Sequence, residues 1–340
     1  MKNAAAFIKE LPKAELHMHL EGSIEPERMM EMAKRNNLAF PYASADELRA
    51  AYDFTDLQSF LKVLYAGYEV LQTEQDFYDM TVDYLTCAHT EKVLRAEVFF
   101  NPQGYLSRGI PFEVGINGVL RGLEDARRSL GISADVIIGI LRHRSTEEAF
   151  EVFELVRPYR DKILGVGLGG SERGNPPSKF EEVFGKFRDL GWHAVAHAGE
   201  EGSSEYIWEA LKALRVDRVD HGVRCVEDPT LVKYLAEHQV PLTVCPLSNV
   251  KLKVFPTMKD HNFKRLMDLG LRVTINSDDP TQFDGYVNQN FEACADAQAL
   301  TDVDLVTLAK NSFLSAFVSS SEKTRYCNLV DAYHHSANSA

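Results

Sequence analysis

The stretch Ala14-Glu-Leu-His17-Met-His19 is the first of eight short runs rich in aliphatic and β-branched residues in this 340-residue chain. Longer stretches with helical periodicity separate the runs. The eight runs are residues 14–19, 95–100, 135–141, 163–168, 193–197, 218–221, 241–245 and 272–276. Alternating strands and helices indicate a parallel sheet, and eight such units predict a closed (β/α)8 barrel of the TIM type. An open doubly wound sheet is the alternative.

The first and second runs lie about 75 residues apart, far more than one crossover needs. We expect extra helices there, lying over the C-terminal mouth of the barrel. Apolar residues at helical spacing within this insertion predict mainly an ordinary core face, with one or two of them acting as a lid: Leu57, Phe60, Leu61 and Leu64. We expect one domain over residues 1–340, with the barrel at about 8–318 and a C-terminal helix and tail at 319–340.

Composition excludes several classes of partner. The net charge of −13 disfavours nucleic acid and anionic membrane surfaces, and it suits a small neutral substrate. Five cysteines without a C-x-x-C motif indicate reduced thiols rather than a disulfide framework. The apolar run at residues 4–8 is too short for a signal-peptide core or a membrane span. A soluble, cytoplasmic protein is therefore expected, and a homo-oligomer is left open.

Polar residues stand at the ends of four of the predicted strands. His17 and His19 are two apart on one strand, so both side chains point to the same side. This pair alone is compatible with chance or with a hydrogen-bonded surface pair. Further polar groups follow at the ends of the fifth, sixth and eighth strands: His197, Glu200, His221, Asp278 and Asp279. Because catalytic groups of such barrels come from the C-terminal ends of strands, the sequence predicts a metal hydrolase.

Three imidazoles and one carboxylate suit a zinc ion with one position left for water, and Fe²⁺ or Mn²⁺ would also suit these ligands. Such a metal lowers the pKa of bound water toward about 7. Glu200 is placed to transfer a proton to a substrate nitrogen, and His221 to orient or deprotonate the water. Asp279 could accept a hydrogen bond from a ring N–H, or it could be a turn residue before Pro280. Residues 165–170 contain no lysine to bridge a second metal, so one metal per chain is expected.

Five motifs carry a resemblance to a known family. They are His17-x-His19-Leu-Glu-Gly, His197-Ala-Gly-Glu200, Asp220-His221-Gly222, Cys245-Pro-Leu-Ser-Asn249 and Asn276-Ser-Asp278-Asp279-Pro280. In this order, over roughly residues 8–318, the chain resembles the adenosine and adenine deaminases of the amidohydrolase superfamily.

By that resemblance the zinc ligands would be His17, His19, His197 and Asp278. Glu200 would protonate purine N1, His221 would position the hydrolytic water and Asp279 would contact N7. Attack at C6 would then release ammonia or an amine.

Glu21 favours a free purine base as the substrate. Nucleoside deaminases of this family carry Asp at that position, where it reaches the ribose, and free-base adenine deaminases carry Glu. The resemblance therefore implies that the chain converts adenine to hypoxanthine and ammonia, with Glu21 as a substrate-binding residue. Adenosine is the less favoured substrate.

Two segments depart from the adenine deaminase pattern. Residues 101–105 read Asn-Pro-Gln-Gly-Tyr instead of D-P-Q-x-H, and residues 167–172 read Gly-Leu-Gly-Gly-Ser-Glu instead of G-L-D-S-x-E. Gly169 and Gly170 remove side-chain volume at the mouth, which would admit an N6-substituted adenine such as N6-methyl- or isopentenyladenine. Neutral drift is the other explanation. Hydrolysis of an amide or ester, and a non-catalytic barrel used for binding, are the competing functions.

Overall fold

The sheet is parallel throughout and follows the order of the chain. The structure, a computed structural model, describes residues 4–339. Each of its eight strands pairs in parallel with the next one along the chain. The strands are β1 (Lys13–His19), β2 (Val93–Phe100), β3 (Ser133–Leu141), β4 (Gly165–Gly169), β5 (His193–Ala198), β6 (Arg218–His221), β7 (Pro241–Val244) and β8 (Arg272–Ile275). They confirm the eight predicted runs, with ends that differ by at most two residues.

The barrel closes where the segment after β8 meets β1. The backbone N–H of His19 donates to the carbonyl of Asp278 at 2.8 Å, and the N–H of Asp278 donates to the carbonyl of His17 at 3.0 Å. Asn276 Oδ1 accepts from the N–H of Leu16 at 2.9 Å. The closed (β/α)8 barrel is therefore confirmed over the open sheet, and closure brings Asp278 beside the histidines of β1.

Helices cover the outside of the barrel. The α-helices are α1 (Ala4–Glu10), α2 (Pro26–Arg35), α3 (Ala45–Ala50), α4 (Leu57–Tyr68), α5 (Glu74–Thr90), α6 (Gln103–Leu106), α7 (Phe112–Leu130), α8 (Thr146–Val156), α9 (Glu181–Asp189), α10 (Ser204–Glu209), α11 (Pro229–His238), α12 (Pro246–Lys251), α13 (Phe263–Asp268), α14 (Val287–Gln298), α15 (Asp302–Ser315) and α16 (Ser320–Ser339). Short 3-10 helices lie at Leu20–Ser23, Arg157–Tyr159, Pro177–Phe180 and Val223–Glu227, and a π-helix at Ala210–Leu214. Between residues 4 and 339, no helix combines the length and the apolar character needed to cross a membrane.

Four helices, α2 to α5, form the predicted insertion between β1 and β2. Helix α5 packs against α7 on the outside of the barrel. Helix α4 lies over the C-terminal mouth, where its apolar face borders the same cavity as His19 and Asp278. The predicted extra helices over the mouth are thus confirmed.

Strand β2 shows how the barrel interior is filled. Alternate residues of a strand face the same side, and Arg95, Glu97 and Phe99 all face inward. Glu97 pairs with Arg95 at 3.0 Å and, across the barrel, with Arg218 of β6 at 2.6 Å. Above these charges Phe99 packs with one side chain each from β3 and β5 and reaches the ring of His17. Buried ion pairs therefore fill the lower barrel, and an aromatic floor separates them from the mouth.

Candidate active site

The polar strand ends meet at one mouth of the barrel. His17 and His19 lie on β1, His197 lies on β5, His221 ends β6, and Asp278 follows β8. His221 and Asp278 have φ angles of 63° and 64°, in the left-handed region that is costly for a residue with a Cβ. Both border the same cavity, so the fold accepts backbone strain at the two positions that face it.

Imidazole nitrogens converge at the centre of this mouth. His197 Nε2 lies 3.1 Å from His17 Nε2 and 3.1 Å from His19 Nε2. Asp278 Oδ1 lies 3.3 Å from His17 Nε2 and 3.5 Å from His19 Nε2. Unprotonated ring nitrogens at such distances repel one another because each carries a lone pair. A cation between them would remove that repulsion.

A divalent metal ion fits these donors. Two groups of side chains have ligand atoms that lie within 4.8 Å of one another, namely His17, His197, His221 and Asp278, and His19, Asp278 and Asp279. Imidazoles combined with a carboxylate form the donor set of zinc and of similar divalent ions. The structure brings all four predicted ligands together, and it also places His221 close enough to compete with His19.

Buried groups behind the imidazoles orient two of them. His17 Nδ1 lies 3.2 Å from the carbonyl of Thr243, and His197 Nδ1 lies 3.4 Å from Asp220 Oδ2. Thr243 Oγ1 in turn donates to Asp220 Oδ1 at 2.8 Å. Burial opposes ionisation of Asp220, but the neighbouring imidazoles and Arg218 hold its pKa below the usual range. The carbonyl of Thr243 at His17 Nδ1, and the Asp220 carboxylate near His197 Nδ1, favour a proton on these atoms and leave each Nε2 free for a metal.

The loop that carries Glu200 is held by another carboxylate, Glu172. Its two oxygens accept from four successive backbone N–H groups, at residues 199, 200, 201 and 202, with distances from 2.7 to 3.0 Å. Gly199 has a φ of 72°, which turns this loop immediately after β5. Glu172 thus fixes the backbone on which Glu200 stands.

Glu200 is a buried acid at the edge of the cavity. Burial, and then the charges of Asp278 and Glu172, raise the pKa of its carboxyl well above the usual range. Its Oε2 lies 3.5 Å from His221 Nε2, and its Oε1 accepts from Asn249 Nδ2 at 3.5 Å. This environment favours the protonated form of Glu200, which can donate a hydrogen bond or a proton.

Asp279 also lines the cavity, beside Asp278. Burial and the Asp278 charge raise the pKa of Asp279 well above its usual range, so its carboxyl favours the protonated form. The side chain packs directly against Gly22, where a Cβ would lie only 2.0 Å from Asp279 Oδ1. The glycine in the first motif therefore makes room for Asp279.

Glu21 lies behind the cavity wall rather than in it. The side chain is 1% exposed, and its oxygens accept from the backbone N–H of Asn101 at 2.7 Å and from Asn101 Nδ2 at 3.0 Å. Burial raises the pKa of Glu21 to about 7. Asn101, one of the two departures from the family pattern, borders the cavity instead and lies 3.3 Å from His19 Nδ1. The contact between Glu21 and a substrate stays a prediction.

The two glycines after β4 have different surroundings. Gly170 borders the cavity, has a φ of 84°, and would place a Cβ 2.9 Å from His143 Nδ1. The backbone conformation alone thus explains a glycine there. A Cβ at Gly169 would lie 3.6 Å from the His197 ring, an ordinary contact. A Cβ would therefore fit at Gly169, in contact with the His197 ring, although Gly169 itself does not border the cavity.

The apolar wall of the cavity comes from α4. Its lining side chains are Leu57, Phe60, Leu61, Leu64, Tyr65 and Tyr68. The first four were expected mainly as an ordinary core face, and they are buried, at 3 to 8% exposure. Because α4 lies across the mouth, the face it turns to the protein is also a wall of the cavity.

Sequence comparison places the chain in a family. A family model described as adenosine deaminase matches residues 12–333. An adenine deaminase from Sphingopyxis alaskensis is 53% identical over 329 residues, which cover 97% of this chain and 96% of that protein.

Solved structures agree with this assignment. The crystal structure of an adenine deaminase from Arthrobacter aurescens matches with a TM-score of 0.94 and 44% identity, covering 95% of this chain and 99% of that one. An amidohydrolase from Burkholderia ambifaria, solved with bound Zn, matches with a TM-score of 0.91 and 28% identity, covering 99% of this chain and 95% of that one. The chain belongs to the adenosine deaminase family of hydrolases, in the branch of the adenine deaminases.

Proposed function

We propose that this protein is a zinc-dependent deaminase that converts adenine to hypoxanthine and ammonia. The observation that carries the proposal is the pair of buried carboxyls, Glu200 and Asp279, which border one cavity beside the converging imidazoles. Burial raises the pKa of each carboxyl and so favours the protonated form that donates a hydrogen bond, and purine ring nitrogens are acceptors. The names of the similar adenine deaminases support the same substrate.

One metal ion per chain would be held by His17, His19, His197 and Asp278. A bound divalent ion supplies Lewis acidity that makes water a nucleophile at neutral pH. Zinc suits the donor set, and the Zn-bound amidohydrolase neighbour supports that choice over Fe²⁺ or Mn²⁺.

The chain's own residues move the protons of the reaction. Glu200 donates its proton to purine N1, which prevents negative charge from building on the ring as water adds to C6. His221 lies beside Glu200 and Asp278 and orients the water, and Asp279 donates to N7. Of the two protons of the water, one leaves with the 6-amino group as ammonia and the other restores the carboxyl of Glu200, while the proton given to N1 stays on hypoxanthine. Two donors for ring nitrogens would serve no purpose in the hydrolysis of an amide or ester, so that alternative is disfavoured.

The contact between Glu21 and Asn101 supports a free base rather than a nucleoside. Because both oxygens of Glu21 are engaged by Asn101, the longer side chain props Asn101 toward the cavity. Asp at position 21 would be one methylene shorter and would leave more space between β1 and β2. We therefore place the sugar-excluding wall at Asn101, supported from behind by Glu21.

N6-substituted adenine is the second candidate substrate, and Gly169 is the observation that favours it. A Cβ would fit there against the His197 ring without a clash, so a side chain at this position would take up space beside His197 that glycine leaves free of side-chain atoms. Gly170 adds little to this argument, because its backbone conformation requires a glycine.

An ultraviolet assay on the zinc-loaded protein separates these substrates. The panel is adenine, adenosine, N6-methyladenine and isopentenyladenine, with kcat/KM measured for each. We expect adenine to exceed adenosine by at least about 100-fold. Faster turnover of adenosine than of every free base would refute the role given to Glu21 and Asn101. Faster turnover of an N6-substituted base than of adenine would favour the second candidate, and metal binding without any turnover would favour a non-catalytic barrel.

A further inference from the structure

We propose that His261, acting through Asn249, fixes the proton of His221 on Nε2 and thereby makes His221 a hydrogen-bond donor to the reacting water, neither a metal ligand nor a base. His261 is a positioning residue, because it touches neither the cavity nor the metal ligands. The role of the water rests on the proposed deaminase function, whereas the position of the proton on His221 does not.

The ring of His261 is held in one tautomer by its neighbours. The backbone N–H of Phe263 donates to His261 Nδ1 at 3.1 Å, so this nitrogen carries no proton. A neutral imidazole must then carry its proton on Nε2. The ring is 2% exposed and lies between Phe255 and Phe263, and burial lowers the pKa of His261 to about 3. His261 is therefore a neutral donor at Nε2.

The side-chain amide of Asn249 is oriented by His261. His261 Nε2 lies 3.1 Å from Asn249 Oδ1, and a donor requires an acceptor opposite it. This contact fixes which end of the buried amide faces which neighbour, a choice that interatomic distances alone leave ambiguous. The NH2 group of Asn249 must then face the active site, where it lies 3.3 Å from His221 Nδ1 and 3.5 Å from Glu200 Oε1.

The Asn249 amide in turn sets the tautomer of His221. Its Nδ1 accepts from the Asn249 amide, so the neutral ring carries its proton on Nε2. That nitrogen faces Glu200 Oε2 at 3.5 Å and Asp278 Oδ2 at 3.9 Å, on the side of the cavity where the reaction occurs. A protonated Nε2 has no lone pair for a metal or for a proton from water. His221 can therefore hold water only by donating to it.

This conclusion separates the two possible sets of metal ligands. His221 lies close enough to ligate with His17, His197 and Asp278, but its proton keeps it out of the coordination sphere. The third imidazole ligand, beside His17 and His197, is then His19. The Asn101 amide beside His19 donates to Glu21 Oε2 at 3.0 Å and lies 3.3 Å from His19 Nδ1, so it can turn to accept from a His19 Nδ1–H only where Glu21 is protonated and donates to it in return.

Two substitutions of His261 test the relay, by which we mean the hydrogen bonds from His261 through Asn249 to His221. In His261→Phe the ring is kept and the donor is lost, so the Asn249 amide can turn. In His261→Gln the ring is lost and a donor is kept. We expect His261→Phe to lower kcat about 10- to 100-fold with KM within about 2-fold, and His261→Gln to retain most of the activity. Phe255→Leu, which loosens packing against the same ring, is the matched control and should leave kcat within about 2-fold.

A double-mutant cycle tests whether His261 acts through Asn249. We expect His261→Phe combined with Asn249→Ala to be no slower than Asn249→Ala alone, because the relay is already broken. Multiplicative losses would overturn the relay. Thermal unfolding and zinc content of each variant identify any loss of fold or of metal.

Nitrogen-15 NMR of the zinc-loaded protein, with histidine labelled and the His221 signals assigned from His221→Asn, gives a readout that does not depend on turnover. We expect a protonated Nε2 and an unprotonated Nδ1 in the wild type, and a mixture of tautomers in His261→Phe. A His221 protonated on Nδ1, or normal kcat in His261→Phe, would overturn the inference. If the wild type showed the expected tautomer but deaminated no purine, the relay would stand and the proposed function would fail.

Discussion

At the scale of single residues, Glu200 is the buried acid that we propose supplies the proton for purine N1. Its carboxyl lies beside His221 and borders the cavity. Glu200→Gln keeps the shape and removes the proton. We expect kcat with adenine to fall by about 10²- to 10⁴-fold while the zinc content is unchanged. Steady-state kinetics and metal analysis check this, with Glu201→Gln as the control from the same loop. Near-normal turnover in Glu200→Gln would remove Glu200 from the mechanism.

In the proposed function, Glu21 decides between a free base and a nucleoside as the substrate. In Glu21→Asp the carboxylate is withdrawn by one methylene, so it no longer reaches both the backbone N–H and the side chain of Asn101. A buried N–H left without an acceptor costs about 1–3 kcal/mol. We expect a lower melting temperature and a rise of at least about 10-fold in the ratio of kcat/KM for adenosine to that for adenine. Glu21→Gln keeps the length and serves as the control. An unchanged ratio in Glu21→Asp would mean that the sugar is excluded elsewhere.

At the scale of the loop after β5, the carboxylate of Glu172 satisfies four backbone donors that no neighbouring strand can satisfy. Glu172→Gln turns one oxygen into a donor that opposes the N–H groups. We expect kcat to fall by about 10- to 100-fold and the amides of residues 199–202 to exchange hydrogen faster. Hydrogen exchange measured by mass spectrometry checks the loop directly. Unchanged protection in this loop would contradict the positioning role of Glu172.

Elements and supporting groups differ in how far the sequence predicts them. Eight buried strands could be located to within two residues, because a strand buried in a parallel sheet is a short apolar run whose ends are marked by polar groups. The face of α4 was harder to interpret, since an apolar stripe has the same spacing whether it meets a core or a cavity.

Four supporting residues were given no role by the sequence analysis, although all but the last stand inside quoted motifs or segments: Asp220, Asn249, Glu172 and His261. Alternate residues of β6 face the barrel interior, and this pattern could have indicated that Asp220 points inward. The contacts of Glu172 and of His261 join separate loops, and no local pattern specifies such pairs.

At the scale of the whole molecule, the lower barrel depends on one carboxylate, Glu97. It lies between Arg95 and Arg218, fully buried. Burial opposes the ionisation of Glu97, but the two guanidiniums hold its pKa below the usual value. Glu97→Gln would leave two buried positive charges without this partner, and we expect a loss of about 3–5 kcal/mol in the free energy of unfolding. Chemical denaturation checks this against Glu124→Gln, an exposed pair with Arg127 at 3.9 Å, which should change little.

Metal removal should weaken the whole fold, because the proposed ligands come from β1, β5 and the segment after β8. Two of these elements, β1 and the segment after β8, pair with each other where the sheet closes. An ion present at 100 times its dissociation constant stabilises the folded state by about 2.7 kcal/mol. We expect chelation to lower the melting temperature by about 4 °C and added Zn²⁺ to restore it. Asp278→Ala should melt lower from the start and should respond to neither treatment. A wild-type protein whose melting temperature ignored chelation, after metal analysis had shown the ion removed, would mean that the converging imidazoles are held by the barrel alone.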